Sequence, residues 1–370
     1  MIGRMELLFI IPWGSLYLAS FFLITFTVLY FYVYRSHKLY KEGAVVFDCQ
    51  KQVPSWFYLL CRLAAKVVLK RQGRLYNNTN SIGGGSQVTF TLYNCRLESK
   101  GLRQYCSVCG YGWDYPDSTN RDIPVCYPEI LFFRLLAMVI SSDGFRLSPL
   151  GLIHVQQTMR TSQPVDEIKK GPFFLQAAVK EYRSVELGIE VDIVFELKDR
   201  VKEPVWEGIM TLLSRDMKKL NRKKQHTQES CEPEEVKVIE ILVPWYTGLI
   251  YAFASLDYNP YHLFSPTAKL LGYKSPIAHG MWMVSRCLAE IEKREGTDAI
   301  QAPVCVKVRF KQPLLMPGKV VIKYWETFPD AGTWSHKSYQ FRMEEIGTRM
   351  PHVVGEISGV ESYSINAESG

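Results

Sequence analysis

Hydrophobic residues are spread unevenly along the chain. Residues 7–34 contain no charged side chain. As a helix at about 1.5 Å per residue this run would be about 40 Å long, enough to cross a bilayer with tilt. A cleaved signal peptide has an apolar core of only about 7–15 residues ending in a small-residue cleavage site, and the run offers neither. Trp13 and Tyr17 stand near one end, and Tyr30, Phe31, Tyr32 and Tyr34 at the other, as an interfacial aromatic belt would. Arg35, His37, Lys38 and Lys41 follow at once, against a single Arg4 beside Glu6 before it. This asymmetry predicts a single-pass segment with the remainder on the cytosolic side of the endoplasmic reticulum or another intracellular membrane.

Residues 56–71 carry a second pattern. Arg62, Lys66 and Lys70 recur every fourth residue on one helix face, with Leu59, Leu63 and Val67 on a neighbouring one. Two readings fit: a basic helix lying on an anionic membrane surface, or a half-buried helix with a solvated basic edge. Asn77-Asn78-Thr79 is a glycosylation sequon, unused on a cytosolic side. The Gly/Ser stretch at 80–86 reads as a flexible break and lacks the Gly/Lys/Ser spacing of a phosphate loop. Residues 88–97 alternate like a strand and 98–126 read as a polar, aromatic loop. Pro128 and Glu129 then open a buried helix that runs to residue 140.

From here the order of elements repeats. Residues 152–160, closed by Gln163-Pro164, stand against 304–311, closed by Gln312-Pro313. Strand patterns follow at 174–183, 189–197 and 205–213 in one half, and at 320–326, 336–343 and 353–360 in the other. The second half opens with a strand at 236–243, a helix at 245–255 and an apolar helix at 281–291. Each half thus predicts one central helix wrapped by a curled antiparallel sheet, and two halves side by side would share that sheet.

Length, charge and cysteines narrow the class. With 370 residues and 47% hydrophobic content the chain has material for two domains and a sizeable core. The formal net charge of +7 is concentrated at 35–41, 62–74 and 215–224, which suits an acidic surface; there is no nucleic-acid motif. The basic run within 217–235 reads as a solvated linker or as a patch for phosphate or lipid headgroups. Nine scattered cysteines show no disulfide framework and suit a reducing compartment. Cys106-Ser107-Val108-Cys109 lacks the second pair a zinc site needs and reads as reduced thiols in a loop.

The chemistry is concentrated in one stretch. Asp257-Tyr258-Asn259-Pro260-Tyr261-His262 places a carboxylate and an imidazole either side of a proline turn, where both can reach one water. Pro276-Ile277-Ala278-His279-Gly280-Met281 follows and opens the central apolar helix. The string Asp-x-Asn-Pro-x-His, the gap, the His-Gly-Met helix start and the segment 310–318 resemble the hydratase-2 motif of the MaoC-like hot-dog family. The resemblance covers about residues 236–360. Leu256 and Tyr261 depart from it, since the family usually carries a small residue at the first position and a smaller aliphatic at the second.

The resemblance implies an α+β double hot-dog. Taken with the apolar run and the repeated order of elements, the chain would divide into a membrane anchor with basic flank (1–45), a juxtamembrane amphipathic segment (46–86), a degenerate N-terminal hot-dog (87–215), a linker (216–235) and a catalytic hot-dog (236–370). The resemblance also implies R-specific hydration of 2-enoyl-CoA thioesters, or the reverse dehydration, with no cofactor and no metal. Asp257 and His262 would be catalytic and the Gly280 N–H would hold the thioester oxyanion. Asn259 and Pro260 would brace the turn and His279 the helix start. The partners implied are an acyl-CoA substrate and, through residues 7–34, a membrane; a homodimer is compatible. A hot-dog thioesterase and a silent membrane-anchored acyl-CoA-binding protein are the rival readings. The intact motif argues against both.

Overall fold

The computed structural model of the chain describes residues 13–41, 45–76, 88–118, 121–216, 235–327, 338–347 and 350–359. The sequon at 77–79, the Gly/Ser stretch at 80–86, nearly all of the basic linker and the first part of the apolar run lie outside them.

Eleven strands among the described residues form one sheet. They are β1 (Val46–Asp48), β2 (Thr89–Cys95), β3 (Leu152–Thr161), β4 (Phe173–Val185), β5 (Gly188–Lys198), β6 (Pro204–Arg215), β7 (Lys237–Val243), β8 (Val304–Phe310), β9 (Gly318–Thr327), β10 (Ser338–Glu345) and β11 (Pro351–Gly359). Their spatial order is β1-β2-β4-β5-β6-β3-β8-β11-β10-β9-β7. Strands of the first half therefore fill one side and strands of the second half the other. The joint is the antiparallel pair β3 and β8, with Met159 opposite Val306 and Thr161 opposite Val304. These are the two segments whose Gln-Pro endings match in the sequence. The Thr161 hydroxyl also accepts from the Val304 N–H at 3.1 Å.

Period-two burial explains the curl around each helix. Val191, Ile193, Phe195 and Leu197 of β5 turn inward, as do Val320, Ile322 and Tyr324 of β9 and Tyr339, Phe341 and Met343 of β10. The helices are α1 (Trp13–Val28), α2 (Arg35–Lys41), α3 (Trp56–Leu69), α4 (Ser99–Cys109), α5 (Tyr127–Leu131), α6 (Phe133–Ser141), α7 (Thr247–Ser255), α8 (Pro260–Leu263), α9 (Ser265–Leu270) and α10 (Gly280–Glu295). Helix α10 is buried on nearly every side from Met281 to Ile291, as a helix wrapped by a sheet must be. The architecture is the double hot-dog.

Four local expectations change. Residues 98–126 are not all loop: Leu102, Tyr105, Cys106 and Cys109 recur at helical spacing, and α4 buries them. The Cys106 and Cys109 thiols are thus buried on a helix rather than free in a loop. The first central helix is interrupted at Phe132, whose ring instead stacks on Phe195 and Trp206 with centroids 5.0 and 5.7 Å away. Strand β1 extends the sheet by pairing parallel with β2, Val46 opposite Thr91.

The fourth concerns α3. Its basic residues face neither solvent nor an outside surface but the protein. Lys66, only 7% exposed, donates from Nζ to the Ser142 carbonyl, and Lys70 donates to the Phe145 carbonyl. Arg62 donates to the Ser141 carbonyl at 3.1 Å and to Asp143 at 2.8 Å. These groups lie at and just beyond the C-terminus of α6, where the last carbonyls lack helical partners and the dipole favours cations.

The joint yields a test of the two-half arrangement. Residues 235–370 expressed alone would leave β8 an open edge. We expect that fragment to aggregate or self-associate in size-exclusion chromatography. A stable monomer with native far-UV dichroism would contradict it.

Candidate active site

Helix α7 ends at Ser255, and Leu256 follows in the left-handed region with φ 62° and ψ 10°. Its N–H still bonds the Ala252 carbonyl at 2.8 Å. Left-handed backbone costs a residue bearing a side chain roughly 1–2 kcal/mol. The turn throws Asp257 away from the helix. Asn259 then holds its carboxylate, donating to Oδ1 from the backbone at 3.2 Å and from Nδ2 at 2.8 Å. Pro260 starts α8 with φ already suited to a helix, which carries His262 back toward Asp257. Gly248 permits the return, because a Cβ there would run into the His262 carbonyl oxygen.

Asp257, His262 and His279 converge, with donor and acceptor atoms all within 4.8 Å of one another. The His262 and His279 rings stack with centroids 3.7 Å apart and planes 24° apart. His262 Nδ1 lies 2.7 Å from the Ile277 carbonyl, so Nδ1 carries the proton and donates. Its Nε2 is left with a lone pair, by the tautomer this bond selects. His279 donates from Nε2 to the Asp257 backbone carbonyl at 3.1 Å, and its Nδ1 is buried without a partner. As the residue before α10 it makes no side-chain cap. Its support goes to the Asp257 turn and the His262 ring instead of the helix start.

A metal ion asks more of these side chains than proximity. Nearly parallel rings aim their lone pairs alongside each other rather than at one point, and the Asp257 carbonyl engages one of the two imidazoles through Nε2.

Burial dominates the electrostatics. It pushes His262 down to about 3, with the neighbouring His279 adding to the effect, and His279 itself down to about 4. Both imidazoles are therefore neutral near pH 7. Burial raises Asp257, against opposing pulls from His262 and the Asn259 donors. Its side chain is still 24% exposed, against 3% for His279, so the carboxylate is the member of the set that solvent reaches.

Gly280 opens α10, where a helix leaves its first N–H groups without intrahelical partners. A Cβ at Gly280 would lie 2.8 Å from Phe310 Cε1, so that ring rests directly on its backbone. His154, from β3 of the first half, packs against the same ring at 4.6 Å. Glu129 in the first turn of α5 is a further contributor that spacing did not single out. Its Oε2 is buried and unpartnered, and burial, with the Asp257 charge second, lifts its carboxyl to about 8. A cleft of about 250 Å³ between Tyr115, Arg121 and Lys293 lies toward the far end of α10 and takes no part in this cluster.

Residues 233–346 match the family described as MaoC like domain. The chain is 23% identical over 281 residues to 3-hydroxyacyl-thioester dehydratase X of Mycobacterium tuberculosis, spanning 74% of this chain and 89% of that protein. The crystal structure of HtdX from the same organism superposes with a TM-score of 0.57 at 20% identity, over 74% of this chain and 100% of the other. A MaoC-like dehydratase of Phytophthora capsici gives 0.60 at 19% identity, over 78% and 100%. At these identities the solved structures establish the MaoC-like hot-dog fold.

The depressed imidazoles predict an acid limit to stability. A histidine whose folded pKa lies below its unfolded value near 6.5 contributes stability that is complete above that value. The contribution is lost as pH falls toward the folded value, at about 1.4 kcal/mol per pH unit for each group. Glu129, raised to about 8, gains stability over the same range and offsets part of this loss, so the imidazole share is read from the change in the pH slope on substitution. Between pH 7 and pH 5, His279→Gln should shift the slope of the thermal unfolding midpoint by about one proton toward greater acid stability. A slope unchanged from wild type would contradict the neutral, buried state of that ring.

Proposed function

We propose that the second half is a lyase that adds water across the double bond of a trans-2-enoyl thioester, giving the R-3-hydroxyacyl thioester, and catalyses the reverse dehydration. The observation that carries this reading is the convergence of the partly exposed Asp257 carboxylate with the His262 Nε2 lone pair. The activity named for the Mycobacterium tuberculosis relative supports it.

In the proposed reaction one water lies between Asp257 and His262. Asp257 takes a proton from it as its oxygen bonds to C3 of the thioester. The electron pair of the double bond shifts toward the carbonyl, and C2 then receives that proton, so the water supplies both hydroxyl and hydrogen. The first N–H groups of α10, beginning at Gly280, stabilise the charge on the thioester oxygen. Asn259 keeps Asp257 aimed, and His279 holds the turn and the His262 ring. Coenzyme A is the proposed thiol carrier, and an acyl chain matches the exposed Phe253, Leu256 and Tyr258 beside the turn.

The same proposal places the chain in a membrane. The helix Tyr17–Tyr40 has a mean hydropathy of 1.7, no buried residue in its most apolar window, and length enough to span. Arg35 and Lys38 follow the apolar part and are exposed, which orients the hot-dog halves toward the cytosol. The full chain should resist alkaline carbonate extraction from membranes; release into the wash would refute the span.

Asp257→Asn and His262→Gln test the chemistry. General acid–base groups supply about 10²–10⁴-fold in rate, so each change should lower turnover at least a hundredfold while thioester affinity stays within a few-fold. The double variant should be little worse than the poorer single one, because both groups act on one water. Wild-type activity should fall as the pH drops through the raised Asp257 pKa, since the base works only when ionised. Near-normal enoyl-CoA hydration by Asp257→Asn would favour the silent binder.

A further inference from the structure

Helix α3 turns its charges inward, beside the buried Tyr58 and Leu59. On a soluble amphipathic helix the charges face water and the apolar side faces the core. Here Arg62, Lys66 and Lys70 are spent on the carbonyls and the carboxylate around the end of α6, so the basic edge cannot turn outward without stranding those groups. The face left outside is apolar. Phe57, Leu60, Cys61, Ala64 and Val68 follow one another at helical spacing and are all exposed, with Leu69 beside them. Phe57 is 51% exposed, Leu60 58% and Val68 85%. A contiguous apolar stripe of this kind marks an interaction surface rather than scattered surface hydrophobes.

The position of the stripe identifies its partner. Residues Leu29–Tyr34 form a π-helical stretch that joins α1 to α2 in one long N-terminal helix, and the N-terminus of α3 is pinned to its last turns. Ser55 caps α3 through the Tyr58 N–H at 3.2 Å and bonds both the Tyr32 carbonyl and the Ser36 hydroxyl. His37 Nδ1 lies 3.1 Å from the Tyr58 hydroxyl. The level at which α3 begins is therefore the level of the aromatic and basic boundary at residues 30–38, where a spanning helix leaves the hydrocarbon.

Resting on the membrane-span reading above, we infer that α3 is an interfacial helix. Its outward face sinks into one lipid monolayer while its cations hold the hot-dog from within. The anchor is then two-part, one helix across the bilayer and one lying in its cytosolic leaflet. Basic residues near a membrane ordinarily bind its headgroups; those of α3 bind protein instead, and the lipid contact is made by hydrocarbon.

Cys61, native to the stripe and exposed, offers a direct probe. The full chain, with Cys49 and Cys231 changed to serine, would carry a nitroxide on Cys61 and be reconstituted in phosphatidylcholine vesicles. Power saturation would compare collisions with oxygen, which concentrates in lipid, and with a water-soluble nickel complex. A label at Val201→Cys, in the exposed turn between β5 and β6, with Cys61 also changed to serine, gives the aqueous reference. We expect an oxygen-to-nickel ratio several-fold above that reference. Protein retained by the vesicles with Cys61 at the aqueous value would overturn the interfacial helix and leave the span standing. Protein that does not stay with the vesicles would overturn both.

Discussion

The antiparallel ladder between β3 and β8 is the constraint on which the rest of the molecule depends. Each half can wrap its own helix, but neither can close its sheet there, and an open antiparallel edge is an unpaired row of donors and acceptors. Pairing the two edges satisfies both at once and fixes the halves in register. The register reaches the site. Phe310 ends β8 and lies on the Gly280 backbone, while His154 from β3 backs the same ring. The first half, which has no Asp-x-Asn-Pro-x-His of its own, thereby still shapes the ground beneath Asp257 and His262 in the second half.

That pair is held by opposing demands. Sinking two imidazoles keeps both neutral and fixes His262 with a lone pair on Nε2, because Nδ1 must donate to the Ile277 carbonyl. The same burial raises Asp257. His262 and the two donors from Asn259 oppose the rise. Leu256 bears part of the cost, taking up a left-handed turn so that the carboxylate can leave the helix axis.

Much of this was legible in the sequence because its signals are local. Period-two alternation marks strands wherever one face is buried, and β4, β5 and β9 follow it. Asn259-Pro260 announces a turn by backbone sterics alone, so the meeting of Asp257 and His262 could be anticipated. Helix α4 was also written there, in Leu102, Tyr105, Cys106 and Cys109 with Gly110 behind them, but polar neighbours and aromatics masked the spacing. Other features depend on distant partners. Strand β1 is three residues long, too short for a period, and exists because β2 offers an edge. Periodicity separates the faces of α3 yet says nothing of which turns inward; that is decided by carbonyls beyond residue 140. The stacking of His279 on His262 and the burial of Glu129 against the charge of Asp257 likewise arise from contacts that sequence spacing does not encode.

The segment joining the first helix to the sheet has a mechanical consequence. A flexible tether would give the hot-dog freedom to tilt, spin and drift above its point of attachment. Here β1 is laced into the sheet, α3 is clamped to the end of α6, and the Ser55 and Tyr58 contacts tie that clamp to residues 32–37. These contacts restrict rotation and tilt between the N-terminal helix and the sheet. The turn that carries Asp257 then has a set height and heading relative to the N-terminal helix, like a tool in a fixed mount.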